Sequence, residues 1–332
     1  MAPAVGSADG GVRIEDLSGI KITPGENPYD ALISVCHGEP AKIQSLYAAH
    51  RTARNAQQRD KFLSPDFKEL TIDPYLLRLE NPDIEPGFQD RRHCLVFWAR
   101  PPEHILKLAS YLQTALRKVA PNLWLMPPHR MHMTTLEIAH SQTPEAIASL
   151  VSSLRPAIHR LTSLPFTRRA RLVKPLLSYD TSAIAVSFLP ASGEEVLSPA
   201  PTPPHREDIM HPGLPGVNTA ESDGYTYHHL RRDVFNVAQE TGVAIGSRYV
   251  VPSAHITLAR FLAQDDHATP ELRERWIRTI EDINKWLEKE VWGVQDGEFI
   301  GEWIVGQERG LDARNGALWY GGGRTIMMGE GF

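Results

Sequence analysis

Residues 127–138, PPHRMHMTTLEI, and residues 249–261, YVVPSAHITLARF, carry the same small pattern. A proline stands three or four positions before a histidine, a threonine two positions after it, and an apolar residue soon beyond. Both stretches read as strands. Side chains at i and i+2 of a strand point to one face about 6.5–7 Å apart, so His132 stands beside Thr134, and His255 beside Thr257. An imidazole with an ordinary pKa of about 6.5 gives or takes a proton at neutral pH, and the neighbouring hydroxyl can donate a hydrogen bond to a phosphate oxygen. Each pair is therefore half of a phosphate site. Breaking a phosphodiester needs a base on the attacking oxygen and an acid on the departing one, so two half-sites are required.

Histidine, any residue, threonine is a cheap pattern in a chain with 14 histidines, and it occurs four times. His50-Arg51-Thr52 lies in a charged helical run, YAAHRTARN, and in His267-Ala268-Thr269 the threonine is already placed to cap a helix opening at Pro270. These two are read as incidental. The other two share their surroundings and lie 123 positions apart, the length of one helix, strand, helix, strand, strand unit. Around them the chain repeats that order. A strand over 94–99, ended by Pro101-Pro102, leads to a helix over 102–119, the strand over 132–139, a helix over 144–161 capped by Thr143, and strands over 166–173 and 183–189. The second round has a helix over 226–241 ended by Gly242, the strand over 255–261, a helix from Pro270, and strands over 299–305 and 317–320.

The remaining segments are different in kind. Residues 1 to about 25 are rich in Gly, Ala and Pro and read as a flexible tail. Residues 28–62 have apolar positions spaced as on interrupted helices and read as a packing flap without chemistry of its own, followed by a proline-bearing irregular stretch to residue 90. Residues 190–223, with PASGEE, SPAPTPP and HPGLPG, are expected to be a long mobile loop.

A formal net charge of -5 supplies no field to hold a long polyanion, so a nucleic-acid substrate would be gripped at an end and duplex binding is not expected. Cys36 and Cys94 are the two cysteines, and neither belongs to a CxxC pair, which argues against disulfide, zinc-knuckle and dithiol sites. No stretch of about 18 apolar residues and no signal-peptide pattern occurs, so no membrane span or secretion is expected and the address is read as cytoplasmic or nuclear. HExxH, GxxxxGK[ST] and GxSxG are absent. The adjacent His228 and His229, with His205 and His211 nearby, diverge by about 100° on a helix and are read as solvated, not as metal ligands. The basic run from Thr167 to Arg171 is read as a solvated strand face, Gly321-Gly322-Gly323 as a bulge or close backbone packing, and Trp98, Tyr227 and Tyr249 as core aromatics able to stack on a base.

The paired motifs, the strand-proline-helix opening LVFWARPPEHILKLASYLQTAL at 95–116 and the element order resemble the 2H phosphoesterase superfamily. That superfamily includes LigT-like RNA 2′,3′-cyclic phosphodiesterases and plant and fungal cyclic phosphodiesterases. The resemblance covers about residues 92–332, and NPYDALI (27–33) and HRTARN (50–55) look like the extension of fungal members. It implies that His132 and His255 act as general base and acid and that Thr134 and Thr257 hold the phosphate, with no metal and no cofactor.

The expected fold is α+β and bilobal, with two antiparallel sheets, helices outside and a pseudo-two-fold central cleft. Residues 1–90 would form tail and extension, 91–189 the first lobe and 224–332 the second. The expected activity is hydrolysis of a cyclic phosphate on a nucleotide or RNA end, by a monomer. Two alternatives are cleavage or ligation of 2′,5′ linkages or RNA 3′ ends, and a nucleotide-binding module without turnover. Which histidine is base stays open, and Thr135 is expected to face away from the site by strand alternation.

Overall fold

The structure is a computed structural model that describes residues 20–21, 25–197 and 223–332. The tail expected before residue 25 and the loop expected over 190–223 lie largely outside the described residues, as do His205 and His211. In chain order the helices are α1 (Asp30–Val35), α2 (Pro40–Leu63), α3 (Pro74–Glu80), α4 (Glu103–Arg117), α5 (Pro144–Leu154), α6 (Ile158–Thr162), α7 (Leu164–Thr167), α8 (Tyr227–Gln239) and α9 (Pro270–Glu290). The strands are β1 (His93–Ala99), β2 (Leu123–Leu125), β3 (Met133–Gln142), β4 (Arg171–Tyr179), β5 (Ala183–Pro190), β6 (Ala254–Phe261), β7 (Trp303–Ile304), β8 (Arg309–Gly316) and β9 (Arg324–Glu330).

Two antiparallel sheets result, with helices packed around them, in the α+β class the sequence predicts. One has the order β3-β1-β8-β9 and the other β2-β6-β5-β4-β7. Each sheet draws strands from both 91–189 and 224–332, so sheet membership does not follow the two halves of the chain. The two histidine motifs fall in different sheets, at the start of β3 and on β6. Helix α8 packs on β3, α5 on β1, α2 on β5 and α9 on β4.

Local chemistry sets the element ends. The Thr143 hydroxyl accepts from the Ala146 amide at 3.2 Å and the Thr269 hydroxyl from Leu272 at 3.3 Å, each before a proline that needs no amide partner of its own. Gly242, at φ 78°, closes the stretch after α8, where a Cβ would be strained. On α4, Ile105, Leu108, Leu112 and Leu116 are all buried, each contributing about 1.5–3 kcal/mol of apolar burial.

Four expected elements change. The helix over 144–161 is broken by a 3₁₀ turn at Arg155–Ala157, because Pro156 cannot continue the ladder. The strand expected from 166 begins only at Arg171, since Pro165 opens the short helix α7. The strand expected over 299–305 shrinks to the two residues of β7. Residues 317–320, expected to be a strand, belong to the connection between β8 and β9. There Gly321 and Gly323 both take φ 73°, which only glycine adopts freely. A Cβ on Gly321 would lie 2.6 Å from the Arg130 carbonyl oxygen, so the glycine run does serve close backbone packing, two residues from His132. Among the described residues no helix is long and apolar enough to cross a membrane.

Candidate active site

The side chains of His132, Thr134, His255 and Thr257 all line one cleft of about 390 Å³. The i, i+2 rule therefore holds at both motifs. Thr135, between the alternating faces, is fully buried and away from the cleft, as expected. Strand pairing fixes the positions. Thr134 sits opposite Trp98 of β1, while His255 and Thr257 sit opposite Ser187 and Ala185 of β5.

The two imidazoles are held differently. His132 Nδ1 lies 2.8 Å from the Arg130 carbonyl oxygen, and its ring stacks on Trp98 with centroids 3.7 Å apart and planes 16° from parallel. A carbonyl only accepts, so Nδ1 must carry the hydrogen and the neutral ring keeps a bare Nε2. His255 Nδ1 lies 2.9 Å from the Ser253 hydroxyl, which can donate or accept. That contact leaves either tautomer open.

Both rings are half-buried and ringed by protein. Burial, aided by the charges of Arg100, His255 and Arg314 and opposed by the Arg130 carbonyl, pushes the His132 pKa down to about 3. For His255 burial, then Arg54 and Arg231, outweigh Asp180 and lower it to about 4. Both rings are thus neutral at neutral pH. A bound anion reverses the sign of the local field and raises both values.

Around His132, Arg100 pairs with Asp312 at 2.7 Å and its guanidinium lies 4.9 Å from the Trp98 ring centre, with Arg314 at 5.4 Å. Trp98 is core by exposure but reaches the cleft through its stack on His132, and Tyr249 lines the same cleft, its ring 6.4 Å from that of His255. Tyr227 is buried and donates to the Thr134 carbonyl at 3.1 Å, so it supports the motif's backbone.

Helix α2, expected as a packing flap, reaches the cleft. Tyr47, His50, Arg51 and Arg54 all line the cleft, and Arg54 pairs with Asp180 at 2.7 Å. His50, read as incidental, is therefore a cleft residue. The signal was present in the spacing 47, 50, 51, 54, which is one face of a helix and, here, a polar one. His267 is indeed incidental to the site: it is buried against Phe261 and Trp276, with centroids 4.9 Å away in each case. His228 and His229 are buried, contrary to the solvated expectation. His228 bonds the Tyr47 hydroxyl at 2.8 Å, and His229 closes a capping box with Thr226 at 2.9 Å. The basic run is solvated only at its start: Thr167 and Arg168 are exposed, whereas Arg171 is buried between Asp223 and Glu302 at 2.8 and 2.7 Å.

No family model and no curated protein matches the chain. Among solved structures it is similar to the crystal structure of TT0787 of Thermus thermophilus. Identity is 16% and the TM-score 0.35, over 66% of this chain and 86% of that one, a likeness that carries no functional argument.

Proposed function

We propose that the chain is a phosphodiesterase that opens a cyclic phosphate, on a 2′,3′-cyclic nucleotide or an RNA end, by paired imidazole acid–base catalysis. One observation carries this reading. Two His-x-Thr pairs, from different sheets and 123 positions apart, line the same cleft. In this mechanism His132 is the base, because its carbonyl-anchored Nδ1 leaves Nε2 bare. It takes a proton from water as the oxygen attacks phosphorus. The bond from phosphorus to one ribose oxygen breaks, and His255, protonated when the anion binds, gives that oxygen its proton. Thr134 and Thr257 donate to the non-bridging oxygens as charge builds there. Base and acid are both side chains, so no step is routed through a metal.

The test is hydrolysis of 2′,3′-cyclic mononucleotides in excess EDTA by the wild type, His132→Ala and His255→Ala. Turnover by the wild type and a loss of about 10²–10⁴-fold in each variant are expected. Activity abolished by EDTA, or either variant running at the wild-type rate, would contradict the mechanism. Binding without turnover would mark the chain as a nucleotide-binding module.

A further inference from the structure

Arg231 lies on α8 beneath the cleft floor and is 1% exposed. Its Nη1 donates to the Val251 carbonyl at 2.8 Å, its Nε to the Thr135 carbonyl at 3.4 Å and its Nη2 to the Tyr29 hydroxyl at 3.3 Å. The guanidinium is thus satisfied in hydrogen bonding but not in charge: among the described residues its neighbours are tyrosines, with the Tyr29 ring centre at 4.4 Å, and no carboxylate pairs with it. The half-buried Arg100 and the buried Arg171 each have a carboxylate at 2.7–2.8 Å, whereas the buried Arg51 and Arg273, like Arg231, donate to backbone carbonyls. Burying a charge without an opposite partner is costly, and a fold retains one where something else benefits.

The position of Arg231 says what benefits. Thr135 follows Thr134 on β3, and Val251 lies four residues before His255, so one side chain ties the backbones of both half-sites. Arg231, Thr134, Ser253 and His255 also share the lining of a small void of about 10 Å³ behind the cleft. A fixed positive charge there acts on the cleft through protein, where charges are weakly screened.

We propose that Arg231 is a positioning residue for the phosphate: it holds the two half-sites in register and supplies, from below, an uncompensated positive charge that the substrate anion balances. This rests on the cleft being a phosphate site. The other charged and titratable groups facing His255 are His50 and Arg54 from α2, Asp180 from the turn after β4, and His132 from the opposite sheet. Tyr249 and Ser253 precede it on its own segment. Arg54 already has Asp180 as its partner at 2.7 Å, which leaves Arg231 as the unbalanced neighbour.

The test uses the full chain and does not depend on turnover. His255 is titrated by NMR, and inorganic phosphate binding is measured, in the wild type, Arg231→Lys and Arg231→Gln. Arg231→Gln is expected to titrate His255 at higher pH and to bind phosphate about tenfold more weakly, less than the loss for a donor in direct contact. Arg231→Lys keeps the charge and is expected to match the wild type in titration and to within about threefold in phosphate affinity. Unchanged titration and affinity in Arg231→Gln would overturn the proposal, as would equal losses in both variants, which a purely structural role would give. If Arg231→Gln does not fold, the wild type still decides. A charge beneath the floor predicts phosphate affinity that changes little between about 0.05 and about 0.3 M salt, whereas a steep fall would place the binding charge at the surface. A wild type that binds phosphate but turns over no cyclic nucleotide would refute the proposed activity and leave the role of Arg231 standing.

Discussion

The two half-sites share a pattern and differ in their anchors. His132 is fixed by a backbone carbonyl and the face of Trp98, while His255 leans on a serine hydroxyl. The carbonyl permits one neutral tautomer and the hydroxyl permits two. A motif repeated in sequence therefore does not give a symmetric site. Under the proposed mechanism the symmetric letters supply two proton carriers, and the asymmetric neighbours divide the roles between them.

The sharpest way to break this comparison is to remove the need for an acid. With a nitrophenyl phosphodiester the leaving oxygen departs without a proton. His255→Ala is then expected to recover most of the activity it loses on cyclic nucleotides, a rescue of about 10²-fold or more, while His132→Ala stays inactive. Rates measured side by side on the two substrates check this, and rescue of His132→Ala in place of His255→Ala would exchange the roles.

A smaller effect concerns acid stability. Burial holds both imidazoles below the value of the unfolded chain, so below about pH 6.5 the unfolded state binds more protons than the folded one. Stability is full above that pH and is lost as the pH falls towards the folded values, about 3 for His132 and about 4 for His255. His228, His229 and His267 are depressed by burial as well and add to the slope. Replacing either cleft histidine with alanine should flatten the fall of the thermal midpoint between about pH 7 and about pH 5 by roughly a few degrees. His132→Ala, whose histidine has the lower folded value, should flatten it at least as much as His255→Ala. Thermal unfolding across pH measures it, and a steeper fall in the variants would mean that these rings are not held neutral.

Much of this was legible from local chemistry. The i, i+2 rule puts His132 with Thr134 and His255 with Thr257 in any strand, and Thr143 and Thr269 cap their helices through contacts three residues long. What periodicity cannot carry is long-range pairing. Nothing local says that β8 and β9 cross over to join β1, so the sheets mix the two halves of the chain. For the same reason the run at 167–171 reads as exposed until Asp223 and Glu302 arrive from elsewhere to enclose Arg171. The apolar letters of 317–320 suggest a strand, but the glycines that follow turn the chain. His50 and Arg54 were hidden by an expectation about their helix: a polar stripe on α2 looks like solvent exposure until β5 is packed against it.

The central claim is that His132 and His255 serve one phosphate. Titrating both rings by NMR, with and without inorganic phosphate, tests it most directly. One equivalent of phosphate is expected to raise both pKa values together from their depressed positions, with a single dissociation constant read at either ring. A shift confined to one ring, or two different dissociation constants, would show that the motifs do not share a phosphate and would contradict the account.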